Sequence, residues 1–307
     1  MEVAIILPMP EKQKISVIIT NFNTAPILEK CLGNLINIDP TLEVIVVDNA
    51  STDGSVGMVE SKFPQVRLIR SRENVGLAAG YNLGLNKATG DLILFLGSDA
   101  FPEKTALDGL AEYFSQHPEV GVATCKLVLR DGSLDKDAHR GFPTPWTAFT
   151  HFSHLDRIFK GSPLFDRYFL GFRDLGKPHE IDLCISHFMM VRPSVLESVG
   201  KFDEEFFVYG EDVDFCYRTK KGGWKIMYLP QWQAVHYKGV SVGVRRETQD
   251  ISTASAETRK RMSQESTRAM LTFYKKHYGR TYPKIIGSII FLAIWLKGKW
   301  RQRRHKN

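Results

Sequence analysis

The stretch "YGEDVDFCYR", residues 209–218, sets the carboxylates Glu211, Asp212 and Asp214 among Tyr209, Phe215 and Tyr217. On a helix, Glu211 would share a face with Phe215, Asp212 with Cys216, and Asp214 with Arg218. One carboxylate could then face a cleft while Phe215 anchors the turn in a core. Two roles are open to such acids: starting a helix at its positive end, or taking a proton from a bound hydroxyl. A second set of polar residues follows four apolar runs: Thr20–Asn23, with Asn21 between, then Asp48 and Asn49, Arg72–Asn74, and Asp99. Any one of them is an ordinary turn residue. Four on one edge of a sheet point instead to a nucleotide or other polar ligand. Asp48 can accept from a base or ribose, and Arg72 can meet a phosphate.

Those residues need a scaffold, and the chain predicts one. "ISVIIT", "LEVIVVD", "VRLIRS" and "DLILFLG" read as strands at 15–20, 42–48, 66–71 and 91–97. Between them, "APILEKCLGNLINI", residues 55–63 and "GLAAGYNLGLNKA" read as helices. Continuous apolar strands alternating with helices predict an α/β domain with a mainly parallel sheet. Ligands of such sheets bind beyond the carboxyl ends of the strands. Past residue 126 the regularity fades, and 140–180 is rich in aromatics, Pro and Gly. "ISHFMMVRPSVLESVG" predicts a strand and a helix, and "WKIMYLPQWQAVHY" a strand, a Pro break and a further strand.

At 307 residues with 43% apolar content, the chain can bury a sizeable core. Its four scattered cysteines form no C-x-x-C pair, which argues against a zinc or disulfide scaffold and suits a reducing compartment. The N-terminal "MEVAIILPMPEKQK" lacks the long apolar run of a secretory signal. Neither G-x-G-x-x-G nor a P-loop is present, which excludes the usual dinucleotide and NTP sites. Gly239-x-Ser241-x-Gly243 satisfies the hydrolase elbow pattern, with Asp250 and His277 in order. No apolar helix follows it, so the elbow reading is set aside. From Arg245 onward there are 16 Lys+Arg and 4 Asp+Glu, so the net charge of +7 belongs to the C-terminal end. That end should meet an anionic surface.

In order, "SVIITNFN", "EVIVVDNASTDGS", "ENVGLAAGYNLGL", "LILFLGSDA", "FDEEFFVYGEDVDFCYR" and "VHYKGVSVG" resemble the family 2 glycosyltransferases of the GT-A fold, bacterial rhamnosyltransferase-like branch. The resemblance covers roughly 15–243 and extends to "TFYKKHYG" at 272–279. It implies a Rossmann-like, mainly parallel sheet flanked by helices, with a C-terminal helical, basic tail. The organisation expected is a GT-A domain over 1–243, with a nucleotide-sugar half at 14–125 and an acceptor half at 126–243, then the tail at 244–307. Implied too is inverting transfer from a nucleoside-diphosphate sugar with Mg2+ or Mn2+, to a saccharide or polyprenyl-diphosphate-linked acceptor, with no nucleic acid partner. Rhamnose is the first donor expectation. A UDP-hexose or UDP-N-acetylhexosamine is the alternative, and an inactive sugar-nucleotide-binding relative the non-enzyme one.

By the same resemblance, Asp212 is the catalytic base, and Glu211 beside it orients the site. Asp48, Asn49, Thr20, Asn21, Asn23, Arg72, Asn74 and Gly76 surround the nucleotide sugar. Asp99 matches the last acid of the family's metal motif, and His236 completes the metal and diphosphate site. Phe206, Phe207 and Tyr209 wall the pocket, and Asp214 pairs with Arg218. Two departures stand out. Gly97 occupies the place of an Asp or Asn, and "IDLCISHFMMVR" puts Leu183 for Trp and Ser186-His187 for Gly-Ala. His187 then either contacts the donor or is a core histidine. Finally, Ile285–Leu296 is a twelve-residue apolar run, about 18 Å as a helix and too short to span a bilayer. Lys297, Lys299, Arg301, Arg303, Arg304 and Lys306 follow it, with Trp295 and Trp300 at the boundary. This predicts a tail resting in the cytoplasmic leaflet, the enzyme being cytoplasmic and peripheral to the inner membrane face.

Overall fold

The structure is a computed structural model that describes residues 13–240, 243, 248, 250–252 and 254–304, with backbone alone for 300–304. Ser241, Lys306 and the first twelve residues lie outside the described residues, as do the side chains of Trp300, Arg301, Arg303 and Arg304. Among the described residues nine strands form one sheet: β1 (Ile15–Asn21), β2 (Glu43–Asp48), β3 (Arg67–Arg70), β4 (Leu92–Gly97), β5 (Ala100–Pro102), β6 (Val120–Val128), β7 (His179–Glu180), β8 (Phe188–Val191) and β9 (Lys225–His236). Their order is β3-β2-β1-β4-β8-β6-β9-β5, with β7 also paired to β9. Strands β1 to β4, β6 and β9 run in one direction, while β8, β5 and β7 oppose them.

The apolar runs of β1, β2 and β4 are buried on both faces, as their lack of alternation predicts, whereas β3, at the sheet edge, is part-exposed. Val17 and Ile19 of β1 join Leu28, Cys31, Leu32 and Leu35 of α1 (Ala25–Ile38) in one core cluster. Ile18, between them, points to the other face and packs with Ala78 and Tyr81 of α3 (Leu77–Leu85). The helices α2 (Ser55–Lys62) and α4 (Lys104–Gln116) complete the N-terminal half. The aperiodic stretch holds two short helices, α5 (Pro145–Phe152) and α6 (Leu155–Ile158), and the two-residue β7 at its end, before α7 (Pro193–Val199).

The Pro break expected after residue 229 takes another form. β9 is one continuous strand, but its register with β6 jumps from Cys125↔Leu229 to Lys126↔Gln233. Pro230, Gln231 and Trp232 are left without partners there. Proline has no N–H to donate, so the ladder bulges at that point and then resumes.

Helix α8 (Glu211–Lys221) begins after Tyr209 and Gly210, both at positive φ (67° and 82°). Glycine takes that conformation without strain, and the double left-handed turn brings "GED" round to the sheet edge. Phe207 O accepts from Leu77 N at 2.7 Å, and a Cβ on Gly76 (φ 89°) would sit 2.3 Å from that oxygen. Gly76 therefore lets two distant motifs close on each other. The C-terminal helices α9 (Ala256–Phe273) and α10 (Lys284–Arg304) are joined by a π-helical turn, Tyr274–Tyr278. Phe273, Tyr274 and Tyr278 pack with Phe206. Beside them, fully buried Asp214 accepts from Arg218 Nε at 2.8 Å and meets His277 Nε2 at 2.7 Å and Lys276 Nζ at 2.8 Å. Asp214 thus pairs with Arg218 as predicted and also clamps "TFYKKHYG" to the domain.

Candidate active site

The strand ends converge on a cleft of about 1670 Å3. That exceeds the roughly 300–1,000 Å3 of a site for one small ligand, and leaves room for two substrates. Of the residues predicted for the site, Thr20, Asn49, Asn74, Gly76, His187, Glu211, Asp212 and His236 line it. Thr20 Oγ1 and Asn49 Oδ1 are buried without a hydrogen-bond partner. Buried polar atoms are rarely left so, and a polar ligand in the cleft would satisfy both.

Asn21, Asn23 and Asp48 stand behind that lining. Asp48 Oδ1 accepts from Asn21 Nδ2 at 2.8 Å, and its Oδ2 accepts from Ser51 N at 2.9 Å. Asn23 Oδ1 accepts from Thr52 N at 2.7 Å. Together they lock the loop after β1 to the loop after β2. Arg72 is exposed and outside the cleft lining. Phe207 and Tyr209 line the cleft as expected, whereas Phe206 is buried in the core beneath α9.

Asp99, His187 and His236 come together, each offering one ligand atom, all within 4.8 Å of one another. His236 Nδ1 meets Asp135 Oδ2 at 2.8 Å. Its buried Nε2 has no hydrogen-bond partner and lies 3.6 Å from Asp99 Oδ1, beyond hydrogen-bond range. Burial alone would make His236 less basic. The Asp99 charge, together with the Asp135 contact, instead carries it up to about 9. Burial pushes His187 down to about 4, leaving it neutral. Asp99 is held far below the usual carboxylate range: burial opposes this, but the charges of His236 and His187 overcome it. One carboxylate, two imidazoles and an orphaned nitrogen fit a divalent cation.

Across the cleft the two acids of α8 are buried side by side. Glu211 Oε1 accepts from Ser186 Oγ at 2.9 Å, and its Oε2 is unpartnered. Burial first, and the neighbouring Asp212 charge second, raise Glu211 well above an ordinary carboxylate. Asp212 Oδ1 accepts from Val213 N at 2.8 Å, while Oδ2 lies 3.5 Å from Arg140 Nη2. Burial raises Asp212 too, against the opposing charge of Arg140. A buried carboxylate raised in this way is chemically able to accept a proton from a hydroxyl.

Sequence reasoning missed four residues here. Arg140, Asp137 and Lys238 line the cleft, and Asp135 lies behind it. Lys238 Nζ bridges Asp135 and Asp137. Asp135 is the carboxylate that fixes the ring of His236, a common partner of ligating histidines. Asp135, Asp137 and Arg140 sit in or beside an aperiodic segment with no spacing signal of their own, while Lys238 follows His236 directly within "VHYKGVSVG". The hydrolase triad does not assemble, for His277 is bound to Asp214 and Asp250 to Arg130.

Comparison with known proteins identifies the family and the fold. Residues 16–200 match the profile described as "Glycosyl transferase family 2". An N-acetylglucosaminyl-diphospho-decaprenol L-rhamnosyltransferase of Mycobacterium tuberculosis is 27% identical over 241 residues, covering 74% of this chain and 77% of its own. The O-antigen biosynthesis protein RfbC of Myxococcus xanthus is 25% identical over 253 residues, 76% of this chain and 18% of its own. Among solved structures, the mannosyltransferase PcManGT from Pyrobaculum calidifontis, in complex with GDP-Man and Mn2+, superposes with a TM-score of 0.57. It covers 97% of this chain and 74% of its own at 19% identity, and so shares the GT-A fold.

Proposed function

The chain belongs to glycosyl transferase family 2, and on that premise we propose that it transfers a sugar, with inversion, from a nucleoside-diphosphate sugar to a lipid-linked saccharide acceptor. The observation that carries this is the pairing of a buried, raised carboxylate, Asp212, with the Asp99–His187–His236 cluster in one two-substrate cleft. The nucleobase lies toward Asp48 and Asn49, with Thr20 and Asn49 supplying the unpartnered acceptors noted above. Asp99 and His236 would hold Mg2+ or Mn2+, which would supply positive charge to offset that developing on the leaving diphosphate. Asp212 takes the proton of the acceptor hydroxyl as its oxygen attacks. Glu211, kept protonated by burial and fixed by Ser186, limits repulsion beside that base. The rhamnosyltransferase relative makes dTDP-rhamnose the first donor to test. A hydrolysis panel of dTDP-rhamnose, UDP-hexoses and UDP-N-acetylhexosamines with Mn2+ reads the donor. Cleavage of a UDP-sugar alone reassigns the donor, and cleavage of none favours an inactive relative.

The acceptor reading rests on the cleft mouth. Ile286, Ile289 and Leu296 of α10 line it together with Phe149 and Phe152 of α5. Lys297 Nζ lies 3.3 Å from the Phe152 ring centroid, joining the two helices. Ile285, Ile289 and Ile158 are each more than 60% exposed. Around Ile158 in the chain, Asp156 and Asp166 are buried, while Arg157, Lys160 and Arg167 are exposed. Among the described residues no helix is long and apolar enough to cross a membrane. An apolar face rimmed by cations suits an anionic leaflet, where each nearby basic residue contributes about 1 kcal/mol. Deleting 284–307 should release the protein from anionic liposomes while sparing donor hydrolysis. Equal co-sedimentation of both forms would refute the membrane reading.

A further inference from the structure

Gly97 and His187 look unrelated along the chain, ninety residues apart. In the sheet they are cross-strand neighbours. The antiparallel register of β4 and β8 pairs Leu96 with Phe188, and the next step is a hydrogen bond from Gly97 N to His187 O at 3.0 Å. A Cβ on residue 97 would sit 2.6 Å from His187 Cδ2 and 2.9 Å from Asp99 Oδ1. An acidic side chain at 97 and an imidazole at 187 therefore compete for one space beside Asp99.

We propose that His187 is the third protein ligand of the divalent cation, with Asp99 and His236, filling the space that an acid at position 97 would take. The proposal rests on the cation requirement of the transfer reading and goes further, by fixing the donor set and with it the choice of ion. Two ligand atoms each about 2.1 Å from a common ion lie up to about 4.2 Å apart. The Asp99–His236 pair, at 3.6 Å, is already inside that span, and the whole set falls within 4.8 Å. Rotation of the imidazole at 187 about its side-chain torsions brings the third ligand atom onto the ion. Asp135 holds the other nitrogen of His236, which leaves Nε2 as the ligating atom. Among the described residues no hydrogen bond or ion pair occupies the ring nitrogens of His187, and its ring faces that of His236 at 5.3 Å between centroids.

The donor set has a chemical consequence. Magnesium prefers an all-oxygen shell and gives up water reluctantly. Two imidazoles with one carboxylate suit Mn2+, Co2+, Fe2+ or Zn2+ instead, and leave positions open to ligand oxygens. The site should thus discriminate against Mg2+, where an acid at 97 would have welcomed it.

The test uses the full chain and Mn2+ alone, with no sugar nucleotide. Pulsed EPR of bound Mn2+ should count two coordinated imidazoles in the wild type and one in His187→Ala. Calorimetry should find Mn2+ affinity at least tenfold weaker in that variant. In the wild type, Mg2+ should displace Mn2+ only in at least tenfold excess over its competing concentration in the double variant Gly97→Asp, His187→Ala. One imidazole in the wild type overturns the proposal without any variant having to fold. So does an unchanged Mn2+ affinity in His187→Ala, or equal competition by Mg2+ in wild type and double variant. Two imidazoles in a protein that cleaves no sugar nucleotide would sink the transfer reading and leave this one standing.

Discussion

Replacing Arg140 by Met should move the pH dependence of the reaction rather than abolish it. Its Nη2 lies 3.5 Å from Asp212 Oδ2, and both side chains are almost wholly buried. At that separation Coulomb's law gives about 1 kcal/mol in water and about 5 kcal/mol at an effective dielectric of 20. Divided by 1.36 kcal/mol per unit, this is a rise of roughly one to three and a half units in the Asp212 pKa. The sign follows from the role. A base must be ionised to work, so activity is lost as pH falls through its pKa. Burial already places that limb above an ordinary aspartate, and losing the guanidinium pushes it further alkaline. The assay is donor hydrolysis, water standing in for the acceptor, followed from about pH 5 to 10 at saturating donor and Mn2+. On the acid limb, the variant should lose on the order of tenfold or more against wild type, while the two converge on the alkaline plateau. A uniform loss at every pH would mean that Arg140 binds a substrate instead. A limb that stays put, or moves to lower pH, would refute the claim that Arg140 tunes Asp212.

Three further outcomes follow from the site and its supports. Asp212→Asn should leave donor binding nearly intact and cut turnover by on the order of 10² or more; wild-type turnover would remove Asp212 as the base. Asp99→Ala and His236→Ala should each weaken Mn2+-dependent donor binding by at least tenfold, and unchanged affinity by calorimetry in both would refute the cation site. Asp214 is held down at about 2, since the bonds from His277, Lys276 and Arg218 overcome its burial. Its contribution is therefore complete above the unfolded pKa near 4 and lost as pH falls toward 2. It is worth on the order of 2 kcal/mol, and Asp214→Asn should abolish that part of the acid transition in thermal melts.

Periodicity recovered the N-terminal half because its physics is local. Each buried strand is a continuous apolar run, and α1 falls on the predicted residues because its Leu28, Leu32 and Leu35 recur at helical spacing. Legibility ends where stability comes from pairing across the chain. The stretch from 140 to 180 is held by contacts such as Trp146 Nε1 to Leu164 O and Asp166 to Gly161 N, which follow no period. Pro230 announced an interruption, yet whether it ends β9 or bulges it depends on β6, a partner a hundred residues earlier.

The site divides along the same line. Residues on a strand end or helix start, such as Thr20, Asn49, Glu211 and Asp212, were readable because one element fixes their direction. Asp135 and Arg140 were not, because what they do depends on His236 and Asp212, each over seventy residues away. Gly97 and His187 show the limit most sharply. Read singly, one looks like a lost ligand and the other like a core histidine or a sugar contact. The β4–β8 register makes them a single exchange, since the small residue is what gives the imidazole its room beside Asp99. A departure from a motif is therefore weighed against the residue that faces it across the sheet, because a cation responds to the summed donor set and not to the strand that supplies each donor.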